Sequence, residues 1–239
     1  MTDARRRLAI IGMGKMGRVV ADLAPERGWD VVARIGDPAR GGTGISKQAL
    51  AGAQVAIEFT APRAAPDNVR IAVESGCPIV VGTTGWYDEL PELERWVRAR
   101  NGALLTAPNF SLGVNAFERV ASLTARLLRG AGSFDVHLVE THHAAKKDAP
   151  SGTALNLAKS AATEWGRDIP ITSVRTGAVP GTHEFIFDAP FETVQLTHVA
   201  RDRRVFAEGA LAAAAWLIGR RGVFTMRDVV GDGADSGGL

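Results

Sequence analysis

Short, continuous apolar runs alternate with helical patterns through the first part of the chain, and few folds can use that arrangement. Leu8-Ala-Ile-Ile11, Asp30-Val-Val-Ala-Arg-Ile35, Gln54-Val-Ala-Ile-Glu-Phe59, Pro78-Ile-Val-Val-Gly82 and Ala103-Leu-Leu-Thr106 read as strands. Between them, 16–27, 65–75 and 89–100 carry apolar residues at helical spacing, with a further short helix expected at 46–50. Strands buried on both faces read as unbroken apolar runs, and crossover helices force such strands to be parallel. The expected class is therefore α/β, with a Rossmann-type sheet covered on both sides.

The turn after the first run supports a dinucleotide site. Gly12, Gly14 and Gly17 fit G-x-G-x-x-G with Met13, Lys15 and Met16 between them. The first glycine permits a tight turn, the second lets backbone approach a pyrophosphate, and the third lets the helix pack on the strand. Open α/β sheets bind ligands beyond the carboxyl ends of their strands. Gly82, Thr83 and Thr84 fall there, as do Ala107, Pro108, Asn109 and Phe110. An acidic residue for the adenosine ribose is expected about 20 residues beyond the last glycine. Asp37 lies near that spacing, with an ordinary turn at Asp37-Pro38 as the alternative, and Arg34 and Arg40 lie near enough for a 2′-phosphate. NADPH and NADH both remain open as the cofactor.

After Pro108 the pattern changes. A long helix begins near Ser111 and runs to about Arg129; Thr172–Arg175, Glu184–Asp188 and Glu192–Val199 then read as sheet with one polar face. This predicts a smaller α+β domain with a mixed sheet over 112–204. Residues 1–111 with 205–239 form the dinucleotide-binding domain, the apolar helix 205–218 returning the chain to it. The glycine-rich tail 231–239 reads as disordered.

The densest chemistry lies at 140–154. The run Phe134-Asp-Val-His-Leu-Val-Glu140 alternates as a half-buried strand does, and Thr-His-His-Ala-Ala-Lys-Lys-Asp-Ala-Pro-Ser-Gly-Thr-Ala follows it to 154. Ser151, Gly152 and Thr153 then open a helix whose free NH groups suit an anion. A carboxylate site beside proton donors is the reading. Adjacent histidines with Glu140 and Asp148 could supply metal ligands, but the usual zinc spacing is absent, so no metal is expected. Lys147 and Asp148 read as a pair or as solvated charges. His183 and Arg203 are weaker site candidates, each with a surface charge as the alternative reading.

The run Glu-x-His-His-x-x-Lys-x-Asp-Ala-Pro-Ser-Gly-Thr-Ala closely resembles the signature of 4-hydroxy-tetrahydrodipicolinate reductases, formerly dihydrodipicolinate reductases. Gly12–Gly17, Gly82-Thr-Thr-Gly85, Ala107–Val114, Val179-Pro-Gly-Thr-His183 and Met226-Arg-Asp-Val229 are similar to that family too. The resemblance implies NAD(P)H-dependent reduction of a cyclic dicarboxylate in diaminopimelate and lysine biosynthesis. It implies His142 as acid/base, Lys146 as proton donor or carboxylate anchor, and His143, Ser151, Gly152 and Thr153 as substrate contacts. A homotetramer built on the second domain's sheet is implied as well.

Composition narrows the rest. With 28 basic and 26 acidic residues the net charge is only +2, and no DNA-binding module is visible, so nucleic acid is not an expected partner. The single cysteine, Cys77, excludes an internal disulfide and reads as a buried small hydrophobe. The apolar run after Arg5-Arg-Arg7 is too short for a secretion signal and no run spans a bilayer, so the cytoplasm is expected and a membrane is not. Two other functions compete: an amino-acid-pathway dehydrogenase of the homoserine or aspartate type, and a sensor that binds dinucleotide without turning it over.

Overall fold

The structure, a computed structural model, describes residues 5–36 and 42–235. The chain divides into two compact units, Met1–Ser111 with Phe206–Leu239, and Leu112–Val205. No helix among the described residues is long and apolar enough to cross a membrane.

The first unit is built on a six-stranded sheet of order β10-β5-β4-β3-β1-β2 with every pairing parallel. Its strands are β1 (Arg6–Ile11), β2 (Trp29–Ile35), β3 (Val55–Glu58), β4 (Ile79–Val81), β5 (Ala103–Thr106) and β10 (Gly222–Phe224). The apolar run Leu8–Ile11 is a central strand for the reason its composition suggests. Leu8 and Ile10 point into one core with Val20 of α1 (Lys15–Leu23) and Leu211 of α6 (Arg204–Leu217). Ala9 and Ile11 point into the other, with Val69 of α2 (Ala65–Glu74) and Leu93 of α3 (Leu90–Ala99). Each fully buried Leu, Ile or Val side chain among these contributes roughly 1.5–3 kcal/mol. Strand order reverses beside β1, since β2 lies on one side of it and β3 on the other. That switch point is where such sheets bind ligands.

The second unit has a four-stranded mixed sheet of order β7-β6-β8-β9. Here β6 (Asp135–His142) is parallel to β7 (Ile171–Arg175) and antiparallel to β8 (Thr182–Ala189), which pairs antiparallel with β9 (Glu192–Val199). Val136, Leu138, Phe185 and Phe187 face inward under α4 (Leu112–Leu128) and α5 (Gly152–Trp165), which supply Phe117, Ala121, Leu157 and Trp165.

Two local expectations need correction, and one strand goes unannounced. Residues 46–50 form hydrogen-bonded turns around Ser46, whose hydroxyl accepts from Ala49 N at 3.1 Å, and not a helix. The tail is ordered further than its glycines suggest, because α7 runs Met226–Asp235. Thr225 starts it, with the Asp228 carboxylate accepting from Thr225 N at 2.7 Å as in a capping box, and Met226 and Val229 pack against the first core. Strand β10 is too short to show any periodicity in sequence.

Candidate active site

In the first unit the glycine turn joins β1 to α1 at the switch point. Gly12 adopts φ +95°, and a Cβ there would overlap the carbonyl of Phe59, the residue after β3. A Cβ at Gly17 would overlap the Gly12 carbonyl, so this glycine lets α1 pack onto the turn. Gly14 differs, since a Cβ there meets nothing within 4 Å. It is the N-cap of α1 and lends no side-chain cap, and the first turn of α1 holds no acidic residue. The helix end therefore presents NH groups and open space, a fit to a pyrophosphate. Lys15 is exposed beside it, Met13 and Met16 are half-buried, and Arg18 Nε donates to Met13 O at 3.1 Å.

The other strand ends converge on the same edge. Thr83 is buried and its hydroxyl accepts from Thr60 N at 2.8 Å; Thr84 is exposed. Gly82 lies against the Phe59 ring, which meets Phe110 edge to face at 6.0 Å. Ala107 and Phe110 are buried, Pro108 is exposed, and Asn109 Oδ1 accepts from Ser111 N at 2.9 Å. Arg34 is exposed at the end of β2, while Asp37 and Arg40 lie outside the described residues. One buried group here has no counterpart in the sequence reading. Glu58 has no exposed surface, accepts from Thr60 N at 3.0 Å, Asn68 Nδ2 at 3.3 Å and the Thr60 hydroxyl, and burial pushes its carboxyl above the usual range.

In the second unit β6 alternates as expected, and its inward series Val136, Leu138, Glu140, His142 carries the chemistry at its end. His142 is buried, with Nδ1 bonded to the Glu140 carboxylate. Glu140 has no exposed surface and also accepts from Arg175 at 2.6 Å and from Ser151 N at 3.3 Å. Burial acts to raise this carboxyl, but Arg175, Ser173 and His142 outweigh it and hold it at about 2. An ionised Glu140 can only accept, which assigns the shared hydrogen to His142 Nδ1 and leaves Nε2 for proton exchange. Burial lowers the His142 imidazole below its ordinary value; Glu140 opposes this, while Lys146 and Arg175 add to it. Nε2 lies against Gly181, where a Cβ would sit 3.1 Å away.

The turn after β6 is closed by Lys146 N donating to His143 O at 3.0 Å. Lys146, and not Lys147, pairs with Asp148, at 2.8 and 2.9 Å. Arg175 braces the same turn by donating to Asp148 O at 2.6 Å. Ser151 is the buried N-cap of α5, its hydroxyl accepting from Ala154 N at 3.1 Å. Gly152 is exposed with open space where a side chain would be, Thr153 follows it half-buried in the first turn, and His143 is half-buried. An imidazole with a free nitrogen thus shares one end of the unit with an amine and a helix N-terminus that both face the Asp148 carboxylate, the amine through Nζ and the helix through the Gly152 NH. His183 is buried, not a surface charge, and packs edge to face with His142 at 5.4 Å, whereas Arg203 is exposed. Among the described residues no three His, Cys, Asp or Glu side chains gather as metal ligands would.

Both units are similar to known proteins. A family model described as dihydrodipicolinate reductase, N-terminus, matches residues 6–110, and one described as dihydrodipicolinate reductase, C-terminus, matches 113–230. The 4-hydroxy-tetrahydrodipicolinate reductase of Christiangramia forsetii is 34% identical over 239 residues, covering 94% of this chain and 98% of that one. Its counterpart in Thiobacillus denitrificans is 35% identical over 265 residues, with the same coverage of 94% and 98%. The dipicolinate-bound dihydrodipicolinate reductase from Paenisporosarcina sp. TG-14 shares the fold, with a TM-score of 0.83 at 22% identity over 94% of this chain and 99% of that one.

Proposed function

Since the chain belongs to the dihydrodipicolinate reductase family, we propose that His142 is the acid of its reaction and that the α5 N-terminus with Lys146 holds the substrate. The reaction is the NAD(P)H-dependent reduction of 4-hydroxy-tetrahydrodipicolinate to tetrahydrodipicolinate, a step of diaminopimelate and lysine biosynthesis. The amino-acid dehydrogenase reading would not require the segment from His142 to Thr153, which lies within the 113–230 that the family model matches, and the sensor reading would call for a DNA-binding module or a strong basic patch.

When bound, the reduced nicotinamide supplies the hydride. What remains on the substrate is a carbanion-like centre conjugated to the ring nitrogen, which needs a proton. The observation that carries the reading is the buried pair of His142 and Glu140. By tying Nδ1, the carboxylate fixes ring and tautomer and stabilises the imidazolium, so that Nε2 is the nitrogen that delivers the proton. A side chain at 181 would crowd that nitrogen, since a Cβ there would sit 3.1 Å from it. The Lys146 amine and the backbone NH groups of Gly152 and Thr153 then hold the substrate carboxylates, with Ser151 and His143 beside them. A carboxylate that binds Lys146 takes the place Asp148 fills at 2.8 Å.

In the first unit Gly12 to Gly17 hold the pyrophosphate, and the segments from Gly82 to Thr84 and from Ala107 to Phe110 line the dinucleotide. Arg34, exposed at the end of β2, is assigned to its adenosine end, and Asp37 keeps its assignment from spacing alone, which makes NADPH and NADH both substrates for the test. A homotetramer assembled through the outward face of the mixed sheet completes the proposal; that face exposes Val174 and Val199 at 37% and 58%. Light scattering that gave a monomer would remove the tetramer.

The deciding assay supplies the fresh condensation product of pyruvate and aspartate semialdehyde and follows loss of reduced nicotinamide with each cofactor. Oxidation that fails in His142→Gln while dinucleotide binding persists supports the assignment. Parent-like turnover in that variant rejects His142 as the acid. The ratio of kcat/KM for the two cofactors measures the preference, and Arg34→Ala lowers the NADPH value selectively if Arg34 reads the 2′-phosphate.

A further inference from the structure

Strand β8 places an unassigned imidazole beside the acid. His183 stands opposite Glu140 of β6 and opposite His198 of β9, while Glu140 stands opposite Ser173 of β7. One polar row therefore crosses all four strands, on the face whose next row toward the core is apolar. The next inward residues of β8 are Phe185 and Phe187, neither with exposed surface. His183 is 4% exposed, and neither its Nδ1 nor its Nε2 has a hydrogen-bond partner. His198 Nδ1 has none either. Burying an imidazole unpaired is unfavourable, and an apolar ring would serve packing better.

Its position supplies a reason for it. The His183 ring lies 5.4 Å from that of His142 and 6.5 Å from that of His198, centroid to centroid. Imidazole rings at such centroid spacings come within proton-exchange reach of one another, directly or through one bridging water, once a ring turns about its side-chain bonds. His142 has a side chain only 11% exposed, whereas His198 is half-buried and reaches solvent. Nε2 of His142 faces Gly181 at the start of β8, two residues before His183.

Resting on the reading of His142 as the acid, we propose that His183 is a positioning residue for the proton step, the middle of a relay that returns a solvent proton to His142 through His198. Once His142 has given its Nε2 proton to the substrate carbon, it is a neutral imidazole whose Nδ1 hydrogen still bonds Glu140. His198 takes a proton from water and passes it to His183, which accepts at one nitrogen and releases the hydrogen on the other to His142 Nε2. One solvent proton is consumed per turnover, and the row regains its starting charge.

The surroundings suit a carrier. Burial, then His142 and His198, push His183 down to about 4; Glu140 opposes them and Lys146 adds to them. Arg175 reaches the row from β7 and neutralises Glu140. A site with so little affinity passes a proton on without storing it.

The test compares His183→Phe, which keeps an inward ring but no nitrogen, with His198→Gln at the entry and His142→Gln at the end. Expected for His183→Phe are parent-like dinucleotide affinity and KM, a kcat lower by about tenfold or more, a larger solvent deuterium isotope effect, and partial recovery of kcat with added imidazole. His198→Gln gives a smaller loss of the same kind. Packing damage alone would leave the isotope effect unchanged and would not respond to imidazole, and that result overturns the relay, as does parent-like kcat in His183→Phe. Should His183→Phe not fold, His198→Gln decides, and a parent-like kcat and isotope effect there overturns the proposal. His142→Gln separates the two claims: turnover retained in it defeats the acid assignment itself, whereas turnover lost in it but kept in His183→Phe defeats only the relay.

Discussion

Replacing Glu140 by glutamine tests the centre of the site, because that carboxylate serves both stability and chemistry. It is held at about 2 against an ordinary 4.5. A carboxyl depressed on folding stabilises the folded state fully above the unfolded value, and that stability is lost as pH falls through the folded one. The difference corresponds to about 3 kcal/mol at neutral pH. The same interaction can be viewed from Arg175, whose side chain is 18% exposed and would lose its carboxylate partner. Breaking one side of a buried pair costs about 3–5 kcal/mol, a second view of one effect and not an addition to it. At about 2–4 °C per kcal/mol for a chain of this size, Glu140→Gln should unfold about 6–12 °C lower at pH 7. The gap should narrow below pH 4.5 and close near pH 2. Turnover should fall further, because a glutamine amide that donates to Nδ1 forces the wrong tautomer, a change worth about 10²–10⁴ in kcat. Thermal unfolding from pH 8 to 3 and steady-state kinetics at saturating dinucleotide measure both quantities. Parent-like unfolding at pH 7 together with turnover within about threefold of the parent would refute the coupling of Glu140 to His142.

Lys146→Ala should leave dinucleotide affinity nearly intact and lower kcat by about 10²-fold, because the amine lies in the second unit and is assigned to protonation or carboxylate binding; unchanged turnover removes it from the mechanism. Gly14→Ala fills open space at the α1 N-terminus, so unfolding should stay parent-like while dinucleotide Kd rises by about tenfold; Gly17→Ala overlaps the Gly12 carbonyl and should lose about 1–3 kcal/mol instead. Titrating dinucleotide into both separates them, and parent-like binding by Gly14→Ala contradicts the pyrophosphate reading. Burial raises the Glu58 carboxyl, so its contribution to stability is present below the unfolded value and lost as pH rises through the folded one. Glu58→Gln should accordingly gain thermal stability relative to the parent at pH 8 and lose that advantage toward pH 4, and a pH-independent difference would contradict the assignment.

How much of this is legible in sequence depends on whether a signal is local. The glycine turn is local: strand, glycines and helix are contiguous, and the geometry that makes Gly14 open while Gly12 and Gly17 are crowded follows from their order. The inward series of β6 is local too, since period-two alternation puts Glu140 and His142 on the same face as Val136 and Leu138. That parity also applies to His183, which shares the face of Phe185 and Phe187, so its burial can be read from spacing alone. Reading its charge and not its register suggests a surface residue. Glu58 is similar, because a strand whose neighbours Val55, Ala56 and Ile57 are all fully buried has no solvent face to offer the fourth residue. Arg175 is a different matter. It meets Glu140 only because β7 returns parallel to β6 after α5, pairing Glu140 with Ser173 and His142 with Arg175. No periodicity within either strand encodes that register. The choice of Lys146 over Lys147 as partner of Asp148 depends in the same way on the turn closed by Lys146 N and His143 O. Residues that carry the chemistry are thus visible from spacing, whereas the partners that set their protonation come from strands and turns meeting across the fold. A substitution that preserves the His-His motif can still silence it by changing Arg175, and the loss would look, in sequence, like a change in an unremarked strand end.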